Sequence, residues 1–121
     1  MDPRPISSDS HITEPPDCFV AHIDPRWRDT APRIVNDARF GDIYVVDGMK
    51  QTIPMGLVAA AGVDPAKMRK DGAKFEELHK GGWDPKARLG DQDRDGVGAE
   101  IIYPTVGMVI CNHKDLDYKQ A

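Results

Sequence analysis

An α/β fold is what this sequence predicts, and two stretches carry that expectation. In WDPKARLGDQDRDGVGAEIIYPT, residues 83–105, a capped helix runs through a tight glycine turn into a short apolar strand. Helix, turn and strand in that order form one αβ half of an α/β repeat. In RIV at 33–35 and DIYVV at 42–46, two β-branched and aromatic runs flank a polar stretch at 36–41, the pattern of a hairpin.

The elements follow in chain order. The segment up to Ser10 and His11 has only Pro5 and Ile6 as apolar support, so its strand propensity is weak. Residues 15–32 hold four prolines and many charges, which reads as a long loop or short broken helices. KQTIP at 50–54 is a candidate third strand for the hairpin. Asp64-Pro65 marks a helix start, and KFEELHKGG at 74–82 reads as a short helix stopped by Gly81. Asp84 is a good N-cap, Pro85 suits the first helical turn, and Gly96 can take the left-handed position that ends the helix. AEIIYP then reads as a short buried strand stopped by Pro104. HKDLDYKQA begins one more helix.

Composition narrows the function classes. The 121 residues allow one domain with a core, at roughly 100–200 residues per domain. A formal net charge of -4 gives no reason to expect nucleic acid or an anionic membrane as partner. The apolar runs fall short of the ~18 residues that a membrane span needs, and MDPRPISSD holds no apolar signal core. A cytoplasmic location is therefore expected. Cys18 and Cys111 form neither a CxxC pair nor a disulfide framework and read as small packed side chains.

Two constellations invite a metal reading. DQDRDG at 91–96 opens like a calcium loop, but the twelfth position, where such a loop needs a bidentate Glu, is Ile102. A solvated acidic helix end explains every residue there. Asp9-x-His11 is different, because residues i and i+2 of a strand share a face and both side chains can reach one ion. Carboxylate with imidazole suits zinc, manganese or iron. Taken alone, a turn-capping Asp or Ser beside an incidental His is the favoured reading of this pair. A working site also needs another protein ligand and an open position. His79 can satisfy a helix C-terminus, and His113, just beyond the strand's end, is a candidate for substrate contact or a surface His. GxSxG, P-loop and Rossmann fingerprints are absent from the sequence.

SDSHITEPPD, IDPRWRDTAPRIV, GDIYVVDG and HKGGWDPKARLGDQDRDGVGAEIIYPTVGM together resemble the N-terminal part of the amidohydrolase-related family. The branch in question contains aminocarboxymuconate semialdehyde decarboxylase and the resorcylate-type decarboxylases. The resemblance runs in order over essentially the whole chain. It implies a metal-dependent (β/α)8 barrel, of which 1–121 would supply about two strands and an inserted hairpin and helical segment at about 30–80. Asp9 and His11 fall on the family's metal-binding pair at the end of the first barrel strand. The family's usual first ligand is His or Glu, and Asp9 is shorter. AEIIYPT is similar to the second barrel strand, with Tyr103 and Thr105 at its C-terminal end, the face where such barrels build their sites. Glu14 is a candidate for the pocket rim, or else closes the turn before Pro15, and Trp83 could wall a pocket or simply pack. The implied cofactor is a divalent ion (zinc, manganese or iron). The implied reaction is hydrolysis, or non-oxidative decarboxylation, of a small aromatic or unsaturated carboxylic acid or related compound. The implied partner is that small molecule, with a homo-oligomer allowed. A whole barrel takes about 250 residues, so the catalytic residues and remaining ligands are expected beyond residue 121. This piece alone is then expected to be inactive. The competing expectation is a complete, non-catalytic α+β binding module with a closed core over 33–110 and Asp9 and His11 apart or solvent-exposed.

Overall fold

The computed structural model describes residues 3–58, 60, 62–69 and 71–121. These residues form a mixed α/β protein with one two-stranded parallel sheet and one three-stranded antiparallel sheet. Strand β1 (Ile6–His11) is followed by helix α1 (Cys18–His22) and a 3-10 turn at Pro25–Thr30. The antiparallel strands β2 (Arg33–Asp37), β3 (Gly41–Val45) and β4 (Ile53–Pro54) come next, then α2 (Met55–Val58). After three 3-10 turns, helix α3 (Pro85–Asp95) leads into strand β5 (Ala99–Tyr103) and two short helices, α4 (Val106–Ile110) and α5 (Leu116–Gln120).

The αβ unit forms as its residues dictate. The Asp84 carboxylate accepts from the Ala87 N–H at 2.7 Å, which satisfies one of the donors left open at a helix start. Pro85 occupies the first turn, where its missing N–H costs nothing. Gly96 takes φ +70°, and the Val97 N–H returns to the Gln92 carbonyl at 2.9 Å. The chain emerges as β5, which pairs in parallel with β1 from Ile6–Ala99 to His11–Tyr103. One extra residue of β1 is accommodated between Ser7 and Ser10 as a bulge.

The hairpin is the antiparallel half. The Asp37 carboxylate accepts from the N–H groups of Arg39 (2.8 Å) and Phe40 (2.9 Å), which folds the turn between β2 and β3. Gly41, at φ +75°, runs so close to the 72–73 segment that a Cβ would lie 2.5 Å from the Ala73 carbonyl oxygen. Only glycine fits both that conformation and that approach. The core gathers around this sheet: Tyr44, Val46, Ile53 and Met55 meet Phe75, Leu78, Val106 and Tyr118. Each such side chain contributes roughly 1.5–3 kcal/mol by leaving water.

Three elements differ from the sequence expectation. KFEELHKGG is not one helix but two 3-10 turns, Phe75–Glu77 and Lys80–Gly82. Phe75 and Leu78 are both buried, and a spacing of three aligns side chains on a 3-10 turn. The helix expected at Pro65 is a single 3-10 turn, Pro65–Lys67. AEIIY is a strand but not a buried one: Ile101 is 51% exposed, Ile102 45% and Tyr103 42%. Its sole strand partner among the described residues is β1, so apolar side chains remain open to water. No helix among the described residues is long and apolar enough to cross a membrane.

Candidate metal centre

Asp9 and His11 lie at the C-terminal end of β1, on one face of the strand. His11 Nε2 is 3.4 Å from Asp9 Oδ1. Two ligands bound at about 2.0–2.1 Å with tetrahedral angles sit roughly 3.3 Å apart, so this spacing matches one edge of a zinc-like shell. Both donors face outward, with side chains 82% (Asp9) and 43% (His11) exposed. Tyr103, the register partner of His11 on β5, places its ring 5.8 Å from the imidazole. No group of three or more His, Cys, Asp or Glu side chains poised for a metal occurs among the described residues. Asp9 and His11 therefore fit as part of a shell that needs a further ligand.

The other candidate residues are engaged elsewhere. Glu14 is not at a rim: it is 4% exposed, and its two carboxylate oxygens accept from the N–H groups of Val106 (3.0 Å) and Gly107 (2.9 Å). A buried carboxylate is tolerated there because it caps the first turn of α4. The Tyr44 hydroxyl sits 2.6 Å from the Pro15 carbonyl and 3.0 Å from that of Glu14, and fixes the same turn from below. Burial, with the Glu14 charge behind it, pushes the Tyr44 phenol well above its usual range, so it remains a donor. Thr105 donates to the Ile12 carbonyl at 2.5 Å, tying the end of β5 to the residue after His11. His113 faces another part of the molecule. Its Nε2 meets the Asp47 carbonyl at 2.8 Å, its Nδ1 accepts from the Asp115 N–H at 3.1 Å, and its ring stacks on Tyr118 at 4.5 Å. Trp83 packs at the edge of the core, 5.5 Å from the Phe75 ring.

His79 does not close a helix end. Its Nε2 meets Asp91 Oδ2 at 2.5 Å, linking the 79–82 turn to the side of α3. That hydrogen bond, chiefly, holds the Asp91 carboxyl below the usual carboxylate range, and Arg94 adds to it. Asp91 to Asp95 are thus the last turns of a helix whose first acid is committed to His79 and Arg94.

A polar network behind β1 and β5 escaped the sequence reading. Glu100 receives the Arg88 guanidinium Nε at 2.5 Å, Gln92 Nε2 at 2.8 Å and the Ser10 hydroxyl at 3.2 Å. Burial pushes the Glu100 carboxyl up, but the hydrogen bonds from Arg88 and Gln92 outweigh it, and the group titrates below its ordinary range. Arg88 Nη1 also donates to the carbonyls of His11 (3.0 Å) and Gly81 (3.1 Å). The signal was present: Glu100 is the one charge inside AEIIY, and Arg88 and Gln92 stand four apart on one helix face. Beside the network opens a cleft of about 560 Å³ lined by His11, Thr13, His79, Arg88 and Asp91 among others.

The chain matches no family model, and no curated protein matches it.

Proposed function

We propose that β1, α3 and β5 are the opening of a metal-dependent (β/α)8 barrel of the amidohydrolase-related kind. The enzyme would be a hydrolase or a non-oxidative decarboxylase of a small aromatic or unsaturated carboxylic acid. The observation that carries this reading is the 3.4 Å separation of Asp9 and His11 donors at the C-terminal end of a parallel strand. Parallel pairing of β1 with β5, with α3 leading directly into β5, supports it, because a helix followed by a parallel strand is half of the repeating unit of such barrels. The open apolar side chains of β5 support it too, since further strands and helices would cover them.

His11 Nε2 and Asp9 Oδ1 would hold the ion. Zinc, manganese or iron(II) suits an imidazole and carboxylate set. When bound, the ion supplies Lewis acidity toward a water or a substrate carboxylate. Tyr103 would wall the pocket beside the imidazole, and Thr105 would keep the two strand ends together. With two donors and no third ligand among the described residues, residues 1–121 are expected to be inactive alone.

Elemental analysis of a chain that carries the whole barrel tests the metal. Bound zinc, manganese or iron should be lost in His11→Ala, and unchanged content in that variant removes His11 from the site. With a chain that carries the whole barrel, supplying aromatic carboxylic acids and measuring carbon dioxide release, against hydrolysis of their amides or esters, separates the two reactions.

A second reading has one observation in its favour. The buried core lies around the antiparallel sheet, while Asp9 and His11 are open to water. A non-catalytic α+β binding module would look like this. It predicts that the purified protein carries no metal and that His11→Ala leaves its behaviour unchanged.

A further inference from the structure

We propose that Arg88 is a positioning residue for His11, acting through the main chain of β1; the inference rests on the metal reading above. The Arg88 side chain is 14% exposed and that of Glu100 is 13% exposed, so this ion pair is largely shielded from water. Glu100 grips Nε of the guanidinium and leaves Nη1 to reach the carbonyls of His11 and Gly81. The planar guanidinium is suited to this because one fixed fork serves several acceptors at once. Gln92 and Ser10 hold the Glu100 carboxylate from two further sides, and Ser10 is in turn 2.8 Å from Ser7.

The strand needs such a clamp. β1 carries a bulge between Ser7 and Ser10, immediately before the ligand pair, and a bulge disrupts the local ladder. Beyond it, the ladder consists of the Ser10–Ile102 and His11–Tyr103 pairs and the Ile12 N–H donated to Tyr103 at 3.2 Å. The His11 carbonyl is held from the helix side by Arg88, and the next carbonyl, Ile12, by the Thr105 hydroxyl. Consecutive peptides at the strand end are thereby fixed from two elements. The backbone angles that aim the imidazole at the same point as Asp9 are set by these bonds.

Arg88→Lys is the informative variant. It keeps a cation beside Glu100, whereas Arg88→Ala strands a shielded carboxylate and invites unfolding. A lysine has no second arm for the His11 carbonyl. Zinc titration of a chain that carries the whole barrel, thermal unfolding and NMR of the His11 ring are measured on wild type, Arg88→Lys and His11→Ala. The expected result is zinc binding weakened about tenfold or more in Arg88→Lys, the scale seen when groups that orient metal ligands are lost. The unfolding midpoint should stay close to wild type, and the His11 ring should show increased mobility. Wild-type zinc affinity in Arg88→Lys, with binding abolished in His11→Ala, overturns the inference and leaves the metal reading standing. If His11→Ala does not affect zinc binding, the metal reading fails instead. This inference then falls with it.

Discussion

The two sheets of this molecule are held by different physics. The antiparallel sheet is packed: Tyr44 is wholly buried, Ile43 and Ile53 nearly so, and Val46 and Met55 are buried against it. The parallel pair is wired: its apolar residues face water, while Glu100, Arg88, Gln92 and Ser10 carry its cohesion. Apolar burial is undirected and scales with area, so the hairpin region supplies most of the folding free energy. Hydrogen bonds to charged groups add less but fix geometry, here at the strand end that bears Asp9 and His11. Stability and site precision thus reside in separate halves.

The contrast can be broken from the packed side first. Met55→Ala should cost about 2–5 kcal/mol by urea unfolding, the range for truncating a buried methionine. Gly41→Ala should cost more than ~1 kcal/mol, since a Cβ there meets both the left-handed backbone and the Ala73 carbonyl. Glu14→Ala removes the acceptor of two α4 N–H groups and should cost about 1–3 kcal/mol. On the wired side, Ile101→Thr should change the stability of these 121 residues by less than ~0.5 kcal/mol, because the side chain is already half in water. A large loss there would show that the parallel pair is packed in solution after all.

Acid sharpens the same comparison. The folded-state values of Glu100 and Asp91 lie below those of the unfolded chain. Their contribution is therefore present above the ordinary carboxylate range and is lost as pH falls through the depressed values. Asp42, on β3, is depressed as well, mainly by the Asn36 amide and then by the Phe75 N–H, but the apolar contacts around it do not titrate. Amide protection factors, with the intrinsic slowing of exchange in acid divided out, should fall first at 99–103 and later at 43–46 as the pH is lowered. Glu100→Gln should flatten the first step.

Much of the scaffold was legible in local chemistry. Asp84, Pro85 and Gly96 announced α3 because caps and left-handed turns are properties of single residues. The RIV and DIYVV runs announced the hairpin for the same reason. What depended on distant partners was not legible. Leu78 and Phe75 make turns of the 74–82 segment only because the hairpin supplies a core for both. Glu14 offered a rim or the turn before Pro15, but not its role as acceptor for Val106 and Gly107, because they lie ninety-odd positions on. Spacing suggested that Asp9 and His11 share a face, and they do, but the Arg88 clamp behind them is a three-element contact that no local pattern encodes.

The bulge in β1 has a consequence for how this strand tolerates change. Strand faces alternate, so adding or removing one residue normally inverts everything beyond the lesion. Here Ser8 and Asp9 together stand opposite Ile101, between the Ser7–Glu100 and Ser10–Ile102 pairs. Deleting Ser8 should therefore yield an uninterrupted ladder in which Asp9 and His11 keep their face and Ser7 keeps its partner. The strand carries one spare rung, and the phase of Asp9 and His11 is insured against the loss of it.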